Sequence, residues 1–479
     1  MSGIRHGFSK TGASAKSRQS APACTGEQRR RTASVPALPL SGAACRRFVR
    51  IVHASGWHGA CTMRIGFLFQ VQRSIVKTTS FWRAGHTPTL FAAFFYFDLS
   101  FMVWVLLGPL AVQISNDLGL TAAQKGLMVA TPLLAGALLR IVMGVLVDHL
   151  KPKKAGFIGQ VMVIATLAWA WLGQLRHYEN MLILGILLGF AGAAFAVALP
   201  LASRWYPPEH QGTALGIAGA GNSGTAFAAL FAPSLALMFG WQQVFGLCLI
   251  PLGVALLVYV VFAKDAPSAP PPKSLVEYLH VLKDKDAWWF MFFYSVTFGG
   301  FSGLASSLAI YFNGQYGLSP VNAGYFTAAC VFAGSLVRPL GGILADRMGG
   351  IRTLSLMYLL AGLFLFIASL GMQSYVGALA VFVLAMLALG TGNGAVFQLV
   401  PQRFRKEIGV MTGLVGMAGG VGGFYLASSL GYSKQVTGSY QLGLTIFAAL
   451  AVAALVGLLS VRARWRTTWG SAAMTTARI

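Results

Sequence analysis

From residue 86 to residue 462 the chain repeats one pattern: an apolar run of about 20 residues or more, a short polar break, then another run. Each run is long enough to cross a hydrocarbon core of roughly 30 Å as an α-helix. Twelve such helices are predicted, near 87–112, 122–147, 155–175, 181–203, 210–238, 243–262, 287–312, 321–345, 352–373, 376–399, 406–431 and 440–461. One long polar interval, AKDAPSAPPPKSLVEYLHVLKDKD at 263–286, divides six from six. Its prolines and charges read as a linker with a short surface helix at 274–284. The pattern predicts an all-α membrane protein of twelve transmembrane helices in two pseudo-symmetric six-helix bundles, over 86–262 and 287–462, with a tail at 463–479.

Composition agrees: 56% of the residues are hydrophobic and 10% charged, where a soluble protein carries about a quarter charged residues. A net charge of +24 would suit a nucleic-acid binder, but its distribution argues against that partner. The first 85 residues hold 14 Lys/Arg and one acid, Glu27. Most other cations fall in alternate breaks: Lys151, Lys153 and Lys154; Arg204; Lys264, Lys273, Lys283 and Lys285; Arg347 and Arg352; Arg403, Arg405 and Lys406; Arg462, Arg464 and Arg466. The opposite breaks have only Lys125, Arg176 and Lys434 nearby. The positive-inside rule then places both termini in the cytoplasm, with the chain in the cell inner membrane.

Residues 1–85 read as a basic extension. The first 60 or so, rich in Arg, Ser, Ala and Gly and without periodicity, fit either a disordered segment or a gene model extended upstream of a start at Met63. They lack the apolar stretch of a secretory signal. Cys24, Cys45 and Cys61 lie there, while Cys248 and Cys330 lie in separate apolar runs without metal-ligand spacing. No metal, cofactor or catalytic triad is indicated, so the chain does not read as an enzyme. GxGxxG-like spacings fall inside membrane helices, where a dinucleotide reading fails.

The charges inside the runs carry the chemistry. LLRIVMGVLVDH (138–149) and LVRPLGGILADR (336–347) share a layout, with Arg140 eight residues before Asp148 and Arg338 eight before Asp346. Placing an arginine at a bilayer centre costs about 2.5–3.5 kcal/mol on insertion scales, so both should face a polar cavity. Eight residues of helix rise about 12 Å from the membrane edge, roughly to the midplane. Two guanidinium forks meeting from two halves would suit a small planar oxyanion. The bland alternative is that each arginine pairs with a carboxylate or with helix-end carbonyls. Asp98, in FFYFDLSFMVW (94–104), lies near the middle of the first helix. A carboxylate there needs a partner or takes up a proton; it reads as a proton carrier, a structural pair with arginine, or an interfacial acid.

The halves repeat elsewhere. GAAF (192–195) returns as GAVF (394–397), and GIAGAGNSG (216–224) returns as GMAGGVGG (416–423). Gly144–Asp148 followed by lysines, and GGILADRMGGIR (341–352), resemble the loop motifs of the major facilitator superfamily, with Gly144, Asp148, Gly342, Asp346 and Arg347 as the conformational motif. Within that superfamily, residues 80–462 resemble the nitrate/nitrite porter family, whose two glycine-rich signatures match ALGIAGAGNSG and TGLVGMAGGVGGF (412–424). The resemblance implies that Arg140 and Arg338 bind nitrate, that Asn222 takes the place of the signature asparagine, that Phe195 and Phe298 flank the anion, and that Tyr294 hydrogen-bonds it. Gly219, Gly221, Gly224, Gly416, Gly419, Gly420, Gly422 and Gly423 would let helices approach and slide; tight static packing is the plainer reading.

The expected function is nitrate import by alternating access in symport with protons, acting as a monomer in the lipid bilayer. The rivals are nitrate/nitrite exchange or nitrite export, a porter for another organic anion, and a membrane nitrate sensor. A sensor would need an output domain, which neither tail resembles.

Overall fold

The computed structural model describes residues 81–173, 175–267, 280–404 and 407–469. The basic extension before residue 81, most of the expected surface helix at 274–284 and the tail beyond 469 lie outside the described residues. Twelve helices long and apolar enough to cross a membrane follow one another: α1 Thr87–Leu118, α2 Ala122–Leu150, α3 Pro152–Leu172, α4 Tyr178–Ser203, α5 Thr213–Phe239, α6 Trp241–Phe262, α7 Lys285–Tyr316, α8 Pro320–Met348, α9 Gly350–Ser369, α10 Tyr375–Arg403, α11 Ile408–Thr437 and α12 Gln441–Thr467. The expected runs and these helices correspond one to one, and the structure contains no strand among the described residues.

Several turns are set by glycine at positive φ. Gly119, Gly240, Gly317, Gly371 and Gly438 close the short connections at one end of the bundle, here called the hairpin end. The other end carries the linker and the α2–α3 and α8–α9 turns. N-caps fix where α2 and α8 begin: Thr121 accepts from the Gln124 N–H at 3.3 Å and Ser319 from the Asn322 N–H at 3.3 Å. Thr121 precedes Ser319 by the same interval that separates Arg140 from Arg338, so the repeat holds from helix cap to buried charge.

The two halves meet along α2 against α11, α5 against α8, and α1 against α7. At the hairpin end these seams are backbone-close. A Cβ added at Gly126 on α2 would lie 2.7 Å from the Gly431 Cα on α11, and one at Gly324 on α8 would lie 2.8 Å from the Pro233 ring on α5. α1 and α7 are the most enclosed helices and α6 the least, with Leu237, Ile250 and Leu257 among the exposed apolar side chains that lipid would cover.

Four helices are interrupted part-way. α1 loosens between Trp104 and Leu107, α4 between Gly192 and Phe195, and α8 at Val337. α5 tightens into a 3-10 turn over Ala220–Ser223. Such breaks free backbone groups that must find other partners in a membrane interior, and the carbonyl freed at Gly192 helps build the candidate site.

Candidate functional site

Arg140, on α2, is fully buried, and protein atoms hold part of its guanidinium. Nε donates to the Gly192 carbonyl at 3.1 Å, and Nη1 donates to the Gly416 carbonyl. The first acceptor follows from the α4 break. Ala196 N–H bonds Ala193 rather than reaching back to Gly192, which leaves that oxygen for the arginine. Nη2 has no partner among the described residues. Four rings surround the charge, with Phe195 5.0 Å, Phe298 5.2 Å, Trp104 5.3 Å and Phe101 6.0 Å from Cζ to ring centre. These are cation–π distances, which soften the burial of a charge without neutralising it.

Arg338, on α8, is 8% exposed. Its Nη2 donates to Tyr294 Oη at 3.2 Å and its Nη1 reaches the Gly219 carbonyl at 3.5 Å. Its Cζ lies 5.9 Å from the Phe397 ring centre. Neither arginine forms an ion pair among the described residues. The carboxylate half of the bland alternative is therefore absent there, whereas its backbone-carbonyl half is present at both arginines.

Aromatic rings connect the two charges by two routes. Tyr294 and Phe298 stack at 5.1 Å with planes 7° apart, linking Arg338 to Arg140 along α7. Phe195 and Phe397, the last residues of GAAF and GAVF, lie 6.0 Å apart and each faces one arginine. Phe397, Phe101 and Trp104 were not singled out from the sequence. Phe397 was readable there, because the repeat aligns it with Phe195.

Asn222 is buried within the 3-10 turn of α5, one turn beyond Gly219, and its Oδ1 has no partner among the described residues. Its neighbour Ser223 donates its hydroxyl to Asp98 Oδ1 at 2.7 Å. Asp98 is 4% exposed on α1 and forms no ion pair among the described residues; its bonded partners are the Ser223 hydroxyl and the Gly224 backbone N–H, both neutral. The only other buried carboxylate among the described residues, Asp286, is clamped by Arg403, Arg464 and Trp465.

The glycines divide by what they touch. Gly416 and Gly419 admit the site: added Cβ atoms would lie 3.2 Å from the Phe195 ring and 2.7 Å from the Tyr294 ring. Gly219 faces Arg338, with 3.7 Å to Cζ. Gly221 and Gly224 admit Phe97 and the Asp98 backbone of α1. Gly420 admits Ala137 of α2 across the seam, and Gly422 and Gly423 pack on α7 at Ser295 and Ser302. In the loop motifs, Asp148 pairs with Arg204 at 3.1 Å and Asp346 accepts from Gln398 at 3.0 Å. Gly144 lies within α2, Gly342 faces open space, and Arg347 closes the exposed end of α8. Asp148, Asp346 and Arg347 lie at the linker end, while Gly144 and Gly342 stand one helical turn from Arg140 and Arg338.

Twelve membrane-crossing helices in two related halves, with a buried cationic centre between them, define the architecture of a secondary transporter. The Major Facilitator Superfamily model matches residues 89–427. The chain is 33% identical over 362 residues to a nitrite extrusion protein of Bacillus subtilis (strain 168), covering 74% of this chain and 89% of that one. It is 34% identical over 384 residues to the probable nitrate/nitrite transporter NarK2 of Mycobacterium tuberculosis (strain ATCC 25618 / H37Rv), covering 77% and 95%. It is also 34% identical to the probable nitrate transporter NarT of Staphylococcus carnosus (strain TM300), covering 74% and 91%. Among solved structures, a bacterial homolog of the human lysosomal transporter Spinster, inward-facing and occupied, superposes with a TM-score of 0.61 at 19% identity, over 79% of this chain and 97% of that one; this likeness concerns the fold. The chain belongs to the nitrate/nitrite porter family of the major facilitator superfamily.

Proposed function

We propose that this chain imports nitrate across the cell inner membrane by alternating access, in symport with protons. The observation that carries this reading is the unpartnered Nη2 of a fully buried Arg140, set between the Phe195 and Phe298 rings with no carboxylate bonded to it. Leaving a buried charged donor without an acceptor costs upwards of about 1–3 kcal/mol, a cost that a bound oxyanion would remove. A flat monovalent anion can lie between two rings and accept from the open edge of a guanidinium. Tyr294, Arg338 and Asn222 would complete its coordination. The names of the similar proteins, nitrate and nitrite transporters and a nitrite extrusion protein, support the same substrate class.

The linker end is assigned to the cytoplasm because the lysine and arginine clusters fall there. Two uncompensated arginines repel, and the anion supplies the opposing charge that favours closure of the halves around it. Asp98 is the proposed proton carrier, since it is a buried carboxylate whose bonded partners are both neutral. Nitrate/nitrite exchange is the second reading, favoured by the nitrite extrusion protein among the similar chains.

The test substitutes each arginine in turn. Arg140→Lys and Arg338→Lys keep the charge and lose the planar fork, and each is expected to weaken nitrate binding at least about a hundredfold, two bonds at about 1.4 kcal/mol per decade. Nitrate affinity within about threefold of wild type in both variants would make these arginines structural.

A further inference from the structure

The α2–α11 seam holds a second basic feature, far along α2 from Arg140. At its hairpin end lies a cavity of about 30 Å³, lined by Lys125 and Gly126 of α2, Ser307 of α7, Leu430 and Gly431 of α11, and Tyr440. That is room for a water or two or one small ion, and too little for an organic substrate.

Three observations point to an anion. First, Lys125 forms no ion pair among the described residues, and no acidic side chain lines the cavity. Second, Ser307 is 4% exposed and its hydroxyl has no partner. Ser100, Thr131 and Ser428 show the usual helical bond back to a carbonyl one turn earlier, at 2.7 Å, which Ser307, like the buried Ser306 and Ser335, does not make. Of these three open hydroxyls, Ser307 is the one on a residue that lines the cavity together with Lys125. Third, the repeat supplies an internal control. The interval that aligns Arg140 with Arg338 and Gly126 with Gly324 aligns Lys125 with Ala323. The α5–α8 seam thus closes at Gly324 without a lysine, so this packing does not by itself require one. The ring of Tyr440 also carries a cation, with Lys434 Nζ 5.2 Å from its centre and donating to the Gly438 carbonyl at 2.7 Å.

We propose that this cavity is a second anion site, separate from the arginine centre, which binds a small monovalent oxyanion such as nitrate through the Lys125 ammonium and the Ser307 hydroxyl. Its lining comes from both halves of the molecule, so an ion bound there favours the closed seam. On the orientation proposed above, the site faces the outside.

Nitrate is titrated into the purified full-length chain at constant ionic strength set with gluconate, and binding is read by calorimetry. Two phases are expected. Arg140→Lys removes the arginine-centre phase and leaves the other. Lys125→Met weakens that other phase by about tenfold or more while Lys125→Arg retains it, as expected for a charge-assisted contact. Ser307→Ala weakens it also, and carries the same readout if Lys125→Met does not fold. A single phase governed by Arg140 alone, or a second phase indifferent to both Lys125→Met and Ser307→Ala, would overturn the proposal and leave a water-filled void. Survival of both phases in Arg140→Lys would count against the arginine reading instead, with the seam site still decided by Lys125→Met.

Discussion

Arg140 and Lys151 illustrate two ways in which single residues are held at a cost. Arg140 gives two donor atoms to backbone carbonyls and leaves a third open, as the proposed anion site requires. Its burial was legible in the sequence, because an arginine inside an apolar run has to be enclosed away from lipid. Its rings were less so. With 33 phenylalanines in the chain, those that converge on one guanidinium are chosen by tertiary packing, and the sequence marks only Phe195 and Phe397 through the repeat. Lys151 was read only as part of a basic cluster, yet it is the sole non-glycine with positive φ among the described residues, at φ 68° and ψ 154°. Gly349 occupies the equivalent turn of the second half at φ 96° and ψ 136°. That backbone region is nearly reserved for glycine and costs other residues about 1–3 kcal/mol. Lys151→Gly is therefore expected to stabilise the protein by about 0.5–2 kcal/mol, after allowing for the greater freedom of an unfolded glycine. A thermal melt of the purified protein reads it, and a lowered midpoint would mean that the lysine side chain contributes more than its backbone costs.

Among the helices, the number and order of elements were plain in the sequence and their neighbours were not. Membrane helices apolar on every side give no amphipathic stripe to say which face meets which partner. The glycine ladders were the best available marker, and the structure shows that they are not uniform. In GIAGAGNSG, Gly216 has nothing within 4 Å of an added Cβ, whereas a Cβ at Gly224 would overlap the Asp98 carbonyl of α1. The sequence also concealed that this ladder tightens into a 3-10 turn at Asn222, a local change that periodicity does not register. Gly216→Ala should be neutral or stabilising by up to about 1 kcal/mol, the helix-propensity gain. Gly224→Ala should force α1 and α5 apart at a cost of at least about 1–3 kcal/mol. Membrane abundance and nitrate uptake of the two variants, measured side by side, provide the check. Equal behaviour would mean that the α1–α5 contact yields without consequence.

Across the whole molecule, the repeat matches the caps of α2 and α8, the two arginines and most of the glycine turns, whereas Asp98 has Val296 at the equivalent place and is where the proposed coupling is tested. Importing a lone anion against an inside-negative potential costs about 2.3 kcal/mol per 100 mV. One accompanying proton cancels that cost, and two would turn the potential into a driving force. Asp98 can carry one proton, while Asp286, the other buried carboxylate among the described residues, is committed to Arg403 and Arg464. Transport coupled through Asp98 alone should therefore follow the pH gradient and ignore the membrane potential. Asp98→Asn mimics the protonated side chain permanently and keeps an acceptor for Ser223. In proteoliposomes this variant is expected to bind nitrate and to exchange nitrate for nitrate at rates within about threefold of wild type, since neither step needs the proton to leave. It should lose accumulation driven by an inward proton gradient. Undiminished accumulation would remove Asp98 from the coupling, and loss of exchange as well would make it a structural partner of α5. Wild-type uptake that ignores the proton gradient and rises with internal nitrite would instead establish the exchange reading, in which the carboxylate needs no proton cycle at all.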